Sequence, residues 1–205
     1  MPEGGTVLDV GCGGGIAAFA LTPPAAHVIG VDHQSAMLRM FEQNAAQRAV
    51  ACETFEGFWP GVAAATPRAD VVTAHHVAYN VADVVPFLRA LSEHAEYRVV
   101  LELPDHHPLT SMTDAWRYFW QLERPTSPTP SDLVAVLEEM GRDVHAEQWS
   151  SPVRTTANLE QAAHFMRIRL CLPAAREAEV LDYFTAQPAV TRRDLTTLWW
   201  DTSPS

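Results

Sequence analysis

Short apolar runs alternate with longer amphipathic segments through the first half of the chain. Runs rich in β-branched residues predict strands at residues 7–10, 28–31, 70–73 and 98–103, with a weaker candidate at 49–55. Apolar residues recur at helical spacing between them, over residues 14–21, 34–47 and 84–93. This alternation predicts βαβ units and a parallel sheet whose strands all end at one edge, where ligands of such sheets bind.

The second half of the chain has a different pattern. After a proline-rich turn, a helix is predicted over residues 130–140, with Thr129 as N-cap, Pro130 in the first turn and Gly141 as the stop. The remaining predicted elements are a strand at 143–149, helices at 158–172 and 174–185, and a last strand at 194–201. Because no repeat and no flexible linker is visible, we expect one domain over residues 1–205.

Composition narrows the possible functions. The 205 residues are 47% apolar and 19% charged, with a formal charge of -11, and all 14 cations are arginine. The absence of lysine excludes Schiff-base chemistry and phosphate-loop lysines, and the acidic balance argues against a nucleic-acid partner. Three scattered cysteines indicate reduced thiols rather than disulfides, and no stretch is suited to a membrane span or a signal peptide. We therefore expect a cytoplasmic protein with neither a nucleic acid nor a membrane as partner.

The stretch VLDVGCGGGI, residues 7–16, carries the most information about a ligand. It is a predicted strand running into a glycine-rich turn that opens a helix, where glycines permit close approach of a ligand and unusual dihedral angles. A dinucleotide fingerprint would need glycine at position 16, where the chain has Ile16. Asp9, two residues before the turn, favours a cationic or amino-bearing ligand over a pyrophosphate. Asp32 ends the second predicted strand and suits ribose hydroxyls in either class of nucleotide.

Three segments together resemble the class I S-adenosylmethionine-dependent methyltransferases. They are VLDVGCGGG, VIGVDHQSAML and ADVVTAHHVAYNV, in the order and spacing of that family, and the resemblance covers about residues 5–105 well. It implies an α/β fold, a Rossmann-like three-layer α/β/α sandwich with a mostly parallel seven-stranded sheet and an antiparallel last strand. The cofactor-binding half would be residues 1–105, followed by helical insertions and terminal strands over 106–205.

The resemblance also implies roles for individual residues, with S-adenosylmethionine as cofactor. Asp9 and the backbone of residues 11–13 would hold the methionine portion, Asp32 the ribose, and the adenine would lie near His33 and Glu56. The predicted cofactor-binding set is Asp9, Gly11, Cys12, Gly13, Asp32, His33, Glu56 and His75.

Two histidine pairs, His75-His76 and His106-His107, follow the fourth and fifth predicted strands. Histidine suits general-base chemistry near neutral pH, so His76 or His107 is the predicted catalytic base for a small-molecule methyl acceptor. A metal site is an alternative, although adjacent residues of an extended segment point opposite ways, so at most one histidine of each pair should face a shared point. The third alternative is that they are capping or loop residues lining a cleft.

An aromatic run, Trp116, Tyr118, Phe119 and Trp120, is interpreted as core packing, with an aromatic substrate wall as the alternative. Two interpretations of Tyr79-Asn80 stay open: contact with the methyl acceptor, and packing at the start of a helix. Related enzymes carry helices before the glycine turn, whereas six residues precede Val7 here, which predicts an open cofactor cleft.

Three functions follow from these patterns. The first prediction is a methyltransferase that acts on a small molecule. The alternative is a catalytically silent partner protein that binds S-adenosylmethionine, and the third prediction is an NAD(P)-dependent oxidoreductase. The sequence names neither the acceptor nor the oligomeric state.

Overall fold

Seven strands form one sheet in the computed structural model, which describes residues 1–107, 110, 112–152, 158–187 and 191–202. The strands are β1 (Thr6–Val10), β2 (His27–Asp32), β3 (Ala51–Glu56), β4 (Ala69–His75), β5 (Ala95–Pro104), β6 (His145–Pro152) and β7 (Arg192–Asp201). Their order is β3-β2-β1-β4-β5-β7-β6, and β7 pairs antiparallel with both neighbours while the other pairs are parallel. The predicted α/β class with an antiparallel last strand is confirmed.

Seven α-helices connect or follow these strands within the described part of the chain. They are α1 (Ile16–Ala20), α2 (Ser35–Arg48), α3 (Val84–His94), α4 (Thr113–Trp120), α5 (Pro130–Glu139), α6 (Leu159–Arg169) and α7 (Glu177–Thr185). Among the described helices, none has the length and apolar character needed to cross a bilayer.

Alternation along the strands places helices on both faces of the sheet. Val7 and Val28 pack with α1 and α2, whereas their neighbours Leu8 and Ile29 pack with α3 and α5. Successive strand residues point to opposite faces, so strands buried on both sides read as continuous apolar runs. The result is the predicted α/β/α layering, and it leaves the strand C-termini as the edge where polar side chains gather.

Helix α5 forms where the sequence predicted it. Thr129 Oγ1 accepts from the Asp132 backbone N–H, Asp132 accepts from Thr129 in return, and Pro130 occupies the first turn. Gly141 follows the helix with φ of 76°, the left-handed conformation typical of a helix stop.

Three predicted helices are at least three residues shorter than their patterns suggested, and the one predicted over 158–172 spans Leu159–Arg169. The helix predicted from residue 14 begins at Ile16, because Gly15 has φ of 84°. The helix predicted over 174–185 begins as a 3₁₀ turn at Ala174–Arg176 and becomes α-helical only from Glu177. The weaker strand predicted from residue 49 begins at Ala51, since Ala49 caps α2 with φ of 54°.

The aromatic run lies on α4, which packs with α6 and α7 in a core cluster of their own. Phe119 is buried there and Trp116 is half-buried, while Tyr118 and Trp120 are exposed. Their main contacts are with this helical cluster, which supports the packing interpretation for Phe119 and Trp116.

Candidate functional site

The glycine turn between β1 and α1 is held by both the backbone and its neighbours. The N–H groups of Gly11 and Cys12 donate to the Val31 carbonyl oxygen at 2.8 and 3.0 Å. Gly11 and Gly13 have φ of 72° and 49°, a region that L side chains rarely occupy. The turn is therefore fixed against the end of β2, next to Asp32.

The glycines are required for different reasons. A Cβ on Gly11 would lie 2.4 Å from Val77 Cγ2, and one on Gly15 would lie 2.3 Å from the Phe19 ring, so both positions are closed by the protein itself. A Cβ on Gly13 would meet nothing within 4 Å. Of these three, only Gly13 faces open space that a ligand could enter.

Asp9 is buried beneath this turn, with 1% of its surface exposed. Its Oδ1 accepts from the Thr73 hydroxyl at 3.1 Å, and its Oδ2 accepts from the Ala18 backbone N–H at 3.3 Å. Burial raises the pKa of this carboxyl to about 6, and the nearby Asp32 adds to the rise, against the two hydrogen bonds. Asp9 thus ties β4 and α1 to the turn and places a buried, titratable acid behind it.

Asp32 stands at the end of β2 with 8% exposure. Its Oδ2 accepts from the Gly13 backbone N–H at 3.0 Å and its Oδ1 from the Gln34 N–H at 2.9 Å. These two hydrogen bonds join the glycine turn to the start of α2. Because each carboxylate oxygen can accept a second hydrogen bond, Asp32 can also accept from the hydroxyl groups of a ligand.

Cys12 contributes its backbone rather than a reactive thiol. The side chain is buried, and a Cβ on Gly30 would lie 3.0 Å from its sulfur. Burial, reinforced by Asp9 and Asp32, raises the pKa of the Cys12 thiol, so it stays protonated and inert near neutral pH.

A stacked pair of rings lies at the ends of β2 and β3. The His33 and Phe58 rings stack with centroids 4.6 Å apart and planes 17° from parallel, and 72% of the Phe58 surface is exposed. Gly57 connects the two strand ends, because its N–H donates to the Asp32 carbonyl oxygen at 3.0 Å. Glu56, the register partner of Asp32, is exposed beside them. Sequence reasoning missed Phe58, although a large aromatic directly after a strand end, in Glu-Gly-Phe-Trp, was a visible signal.

The first histidine pair converges on Glu102 of β5, another residue that the sequence analysis missed. His76 Nε2 lies 3.2 Å and His75 Nδ1 3.9 Å from Glu102 Oε1, and the His76 backbone N–H donates to the Glu102 carbonyl oxygen. The expectation that at most one histidine of the pair faces a shared point is therefore wrong. His76 has φ of 61°, so the segment is not extended there and both rings turn to the same carboxylate.

Charge and burial separate the members of this cluster. The hydrogen bond from His76 lowers the pKa of the Glu102 carboxyl, so it is ionised near neutral pH. Burial lowers the pKa of His75, outweighing the opposing effect of Glu102. The buried His75 Nε2 has no hydrogen-bond partner in the described part of the chain. The sequence did carry a signal for Glu102, since it is an acidic residue between Leu101 and Leu103 in the fifth predicted strand.

The second histidine pair has contacts of its own at the ends of β4 and β5. The His107 ring is edge-on to Tyr79, with centroids 5.1 Å apart, and both line a cavity of about 140 Å³ at the ends of β4 and β5. His106 is exposed, and Asp105 accepts a hydrogen bond from the Thr196 hydroxyl of β7. No group of three or more His, Cys, Asp or Glu side chains across the described residues could hold a metal ion.

The chain matches known proteins in sequence and in fold. Residues 1–147 match the family described as a methyltransferase domain. The chain is 35% identical over 91 residues, 44% of its length, to a ubiquinone biosynthesis O-methyltransferase of Azorhizobium caulinodans. That stretch covers 36% of the relative, so the chain spans about a third of the length of this curated relative.

Solved structures with the same architecture cover nearly the whole chain. The YcgJ protein of Bacillus subtilis superposes with a TM-score of 0.65 at 16% identity, over 99% of this chain and 94% of that one. Magnesium protoporphyrin IX methyltransferase of Synechocystis with bound SAH gives 0.59 at 16% identity, over 96% and 74%. Identities this low show the fold alone. Since the family match extends over residues 1–147 of 205, the chain belongs to the class I S-adenosylmethionine-dependent methyltransferase family.

Proposed function

We propose that the protein transfers the methyl group of S-adenosylmethionine to an oxygen atom of a small organic acceptor. The observation that carries the proposal is the open space beside Gly13, whose N–H donates to the Asp32 carboxylate, together with the stacked His33–Phe58 pair where β2 and β3 end. The name of the Azorhizobium relative, an O-methyltransferase, supports oxygen as the accepting atom.

The residues at this edge fit the cofactor in charge and shape. S-adenosylmethionine carries a sulfonium and an ammonium, and the buried Asp9 and the Asp32 carboxylate supply negative potential behind and beside the turn. The ribose hydroxyls would donate to Asp32, and the exposed Phe58 face offers a stacking surface for adenine. The backbone of Gly11, Cys12 and Gly13 would border the methionine portion. When bound, the cofactor supplies an electrophilic methyl group.

The protein's own contribution to such a transfer is alignment and proton removal. Methyl transfer is an in-line displacement, so rate depends on holding the acceptor oxygen opposite the leaving sulfur and on keeping water out. An acceptor hydroxyl must also lose its proton, and His107 and His76 are the proposed bases. Glu102 is a positioning residue for His76, since its contact with Nε2 leaves Nδ1 as the free lone pair.

Calorimetric titration with S-adenosylmethionine tests the cofactor assignment. We expect micromolar affinity for wild type, at least tenfold weaker binding for Phe58→Ala, and little binding of NAD. Phe58 is exposed, so its removal should leave the fold intact. Asp143→Asn, an exposed control between α5 and β6, should bind like wild type. Tighter binding of NAD than of S-adenosylmethionine would overturn the assignment.

A transfer assay tests the accepting atom. Tritiated methyl groups from S-adenosylmethionine should appear in phenols or alcohols rather than in amines or thiols of matched size. The variant His107→Gln should lower the turnover rate by 10²-fold or more, while cofactor affinity stays within a factor of two. Labelled amines as the main product would refute oxygen as the acceptor.

A further inference from the structure

The strand β6 lies at one end of the sheet. In the part of the chain that the structure describes it pairs with β7 alone, so its other edge has no strand partner there. The residues from His145 to Trp149 are all exposed, and successive side chains point to opposite faces, so both faces of this part of the strand are open to solvent. An exposed strand edge presents unpaired N–H and C=O groups, which another strand can use for pairing.

The hydrogen bonds of β7 show which backbone groups of β6 point away from the sheet. The Asp194 carbonyl oxygen of β7 accepts from the Asp105 N–H, directly after β5, at 3.0 Å. Because the backbone groups of successive strand residues point to alternate sides, Ser150, which lies opposite Asp194, does not pair with β7 through its backbone. By the same alternation, the N–H and C=O groups of Ala146 and Gln148 point outward from the edge.

The last part of this edge is closed to a further strand. The Ser150 carbonyl oxygen already accepts from Arg192 Nη2 at 2.5 Å. Pro152, the next outward-pointing residue, has no N–H to donate. The outward groups of β6 that remain for pairing are therefore those of Ala146 and Gln148, so a second strand must be centred on the first part of β6.

The side chains beside Ala146 make this part of the edge complementary to itself. In an antiparallel pair of two β6 strands centred on Ala146, His145 of each copy lies opposite Glu147 of the other. These positions do not exchange backbone hydrogen bonds, so their side chains approach closely, with Cα atoms ~4.5 Å apart. An imidazole N–H can donate to a carboxylate, and the His145 ring is held in place by stacking on Trp199, with centroids 5.3 Å apart. The symmetric contact thus contains the same favourable pair twice.

The strand at the other end of the sheet, β3, has the opposite character. Glu53 and Glu56 are exposed on it, and its sequence contains no basic residue. Two copies paired along β3 would bring like charges together, which destabilises a strand pair. Of the two edge strands, β6 is the one whose charges favour a second copy of this chain.

We propose that two copies of this chain pair antiparallel through β6, with the two-fold axis at Ala146, so that their sheets join across the contact. Ala146 exchanges hydrogen bonds with Ala146 of the second copy, and Gln148 lies opposite Val144. Because the same surface is used on both copies, the contact closes as a dimer and does not propagate. This interface does not depend on the proposed function. It involves residues 144–148 of each copy, against the ~20–30 residues a side of a stable interface, so the dimer is reversible.

Sedimentation velocity over roughly 5–200 μM, the range for such a small interface, tests the charge pairs. Wild type should shift from monomer toward dimer as the concentration rises. Glu147→Arg sets a guanidinium against His145 of the second copy, and His145→Glu sets a carboxylate against Glu147, so each should weaken dimerisation at least tenfold. The double variant His145→Glu/Glu147→Arg restores opposite charges and should dimerise within threefold of wild type. Glu138→Arg, the same change of charge at an exposed position of α5, should behave like wild type.

A proline variant tests the backbone pairing separately. Gln148→Pro removes an N–H that points away from β7, so it should keep the melting temperature close to that of wild type while abolishing the dimer. If this variant does not fold, the single and double charge variants still decide. A wild type that stays monomeric at the highest concentration, a dimer that persists in folded Gln148→Pro, or a folded double variant that remains monomeric would overturn the proposal.

Discussion

Replacing Asp9 by asparagine should stabilise the protein above pH 6. The folded protein holds the pKa of Asp9 at about 6, against an ordinary value of 3.8, mainly because the carboxyl is fully buried. Since the raised pKa means that the folded state binds the proton more tightly, Asp9 favours folding most below pH 3.8, and this contribution is lost as the pH rises through 6. The difference of 2.2 units corresponds to about 3 kcal/mol at 1.36 kcal/mol per unit.

The asparagine side chain can keep the local hydrogen bonds. Its oxygen can accept from the Ala18 N–H, and its amide can donate to Thr73 Oγ1, which is able to accept. Asp9→Asn should therefore recover most of the ~3 kcal/mol at pH 8, and roughly half of that advantage should remain at pH 5, where wild-type Asp9 is largely protonated. Denaturant unfolding of both proteins at pH 5, 6.5 and 8 measures this difference.

Asp70→Asn is the matched control for this stability measurement. Asp70, at the start of β4, accepts from the Thr6 N–H at 2.6 Å, so its substitution should destabilise at every pH tested. An Asp9→Asn protein that is less stable than wild type at pH 8, or whose advantage does not change with pH, would refute the reasoning.

The same carboxyl should make cofactor affinity pH-dependent. Ionised Asp9 favours a cationic ligand, so binding of S-adenosylmethionine to wild type should weaken below pH 6, by up to tenfold per pH unit, while binding to Asp9→Asn should change less over that range. Calorimetry at pH 5, 6 and 7.5 checks this. Equal pH profiles for the two proteins would remove Asp9 from the cofactor site.

Further predictions concern the glycine turn, the first histidine pair and the cap of α5. Gly15→Ala should lower the free energy of unfolding by about 2 kcal/mol or more, because its Cβ would lie 2.3 Å from the Phe19 ring at φ of 84°. Gly13→Ala, whose Cβ would meet nothing within 4 Å, should lower it by only about 1 kcal/mol but should abolish cofactor binding. His76→Gly should be about 1 kcal/mol more stable than His76→Ala, since φ of 61° strains alanine; equal melting temperatures would refute this. Thr129→Ala should lower stability by about 1 kcal/mol in denaturant titrations, with Ser at that position restoring it.

The architecture was predictable where local pattern and long-range packing agree. Strands such as β1 are buried on both faces, so their apolar runs are unambiguous, and α5 carries its own start and stop signals. The helix after the glycine turn was predicted too long, because only the folded turn shows that Gly15 is left-handed and packed on Phe19. The 3₁₀ turn at Ala174–Arg176 was likewise not visible in the helical periodicity of the sequence.

At the site, sequence supplied residue types but not their partners. Asp9 and Asp32 were located correctly at the ends of their strands, yet their contacts with Ala18, Thr73 and Gly13 depend on how three elements meet. Burial raises the pKa of Asp9 against its hydrogen bonds with Thr73 and Ala18, and no spacing rule contains that effect. The predicted cofactor-binding and catalytic roles remain proposals for the binding and activity measurements above.

The two histidine pairs show why placement at one edge does not make one site. Both follow neighbouring strands, as parallel topology requires, but the left-handed backbone at His76 turns its ring to Glu102 while His107 lies against Tyr79. The first arrangement orients an imidazole with a carboxylate, and the second places one at a mainly apolar cavity at the ends of β4 and β5. A base must reach its substrate before its basicity matters, so the cavity, and not the histidine–carboxylate pair, makes His107 the stronger proposal for the base that takes the proton of an acceptor hydroxyl.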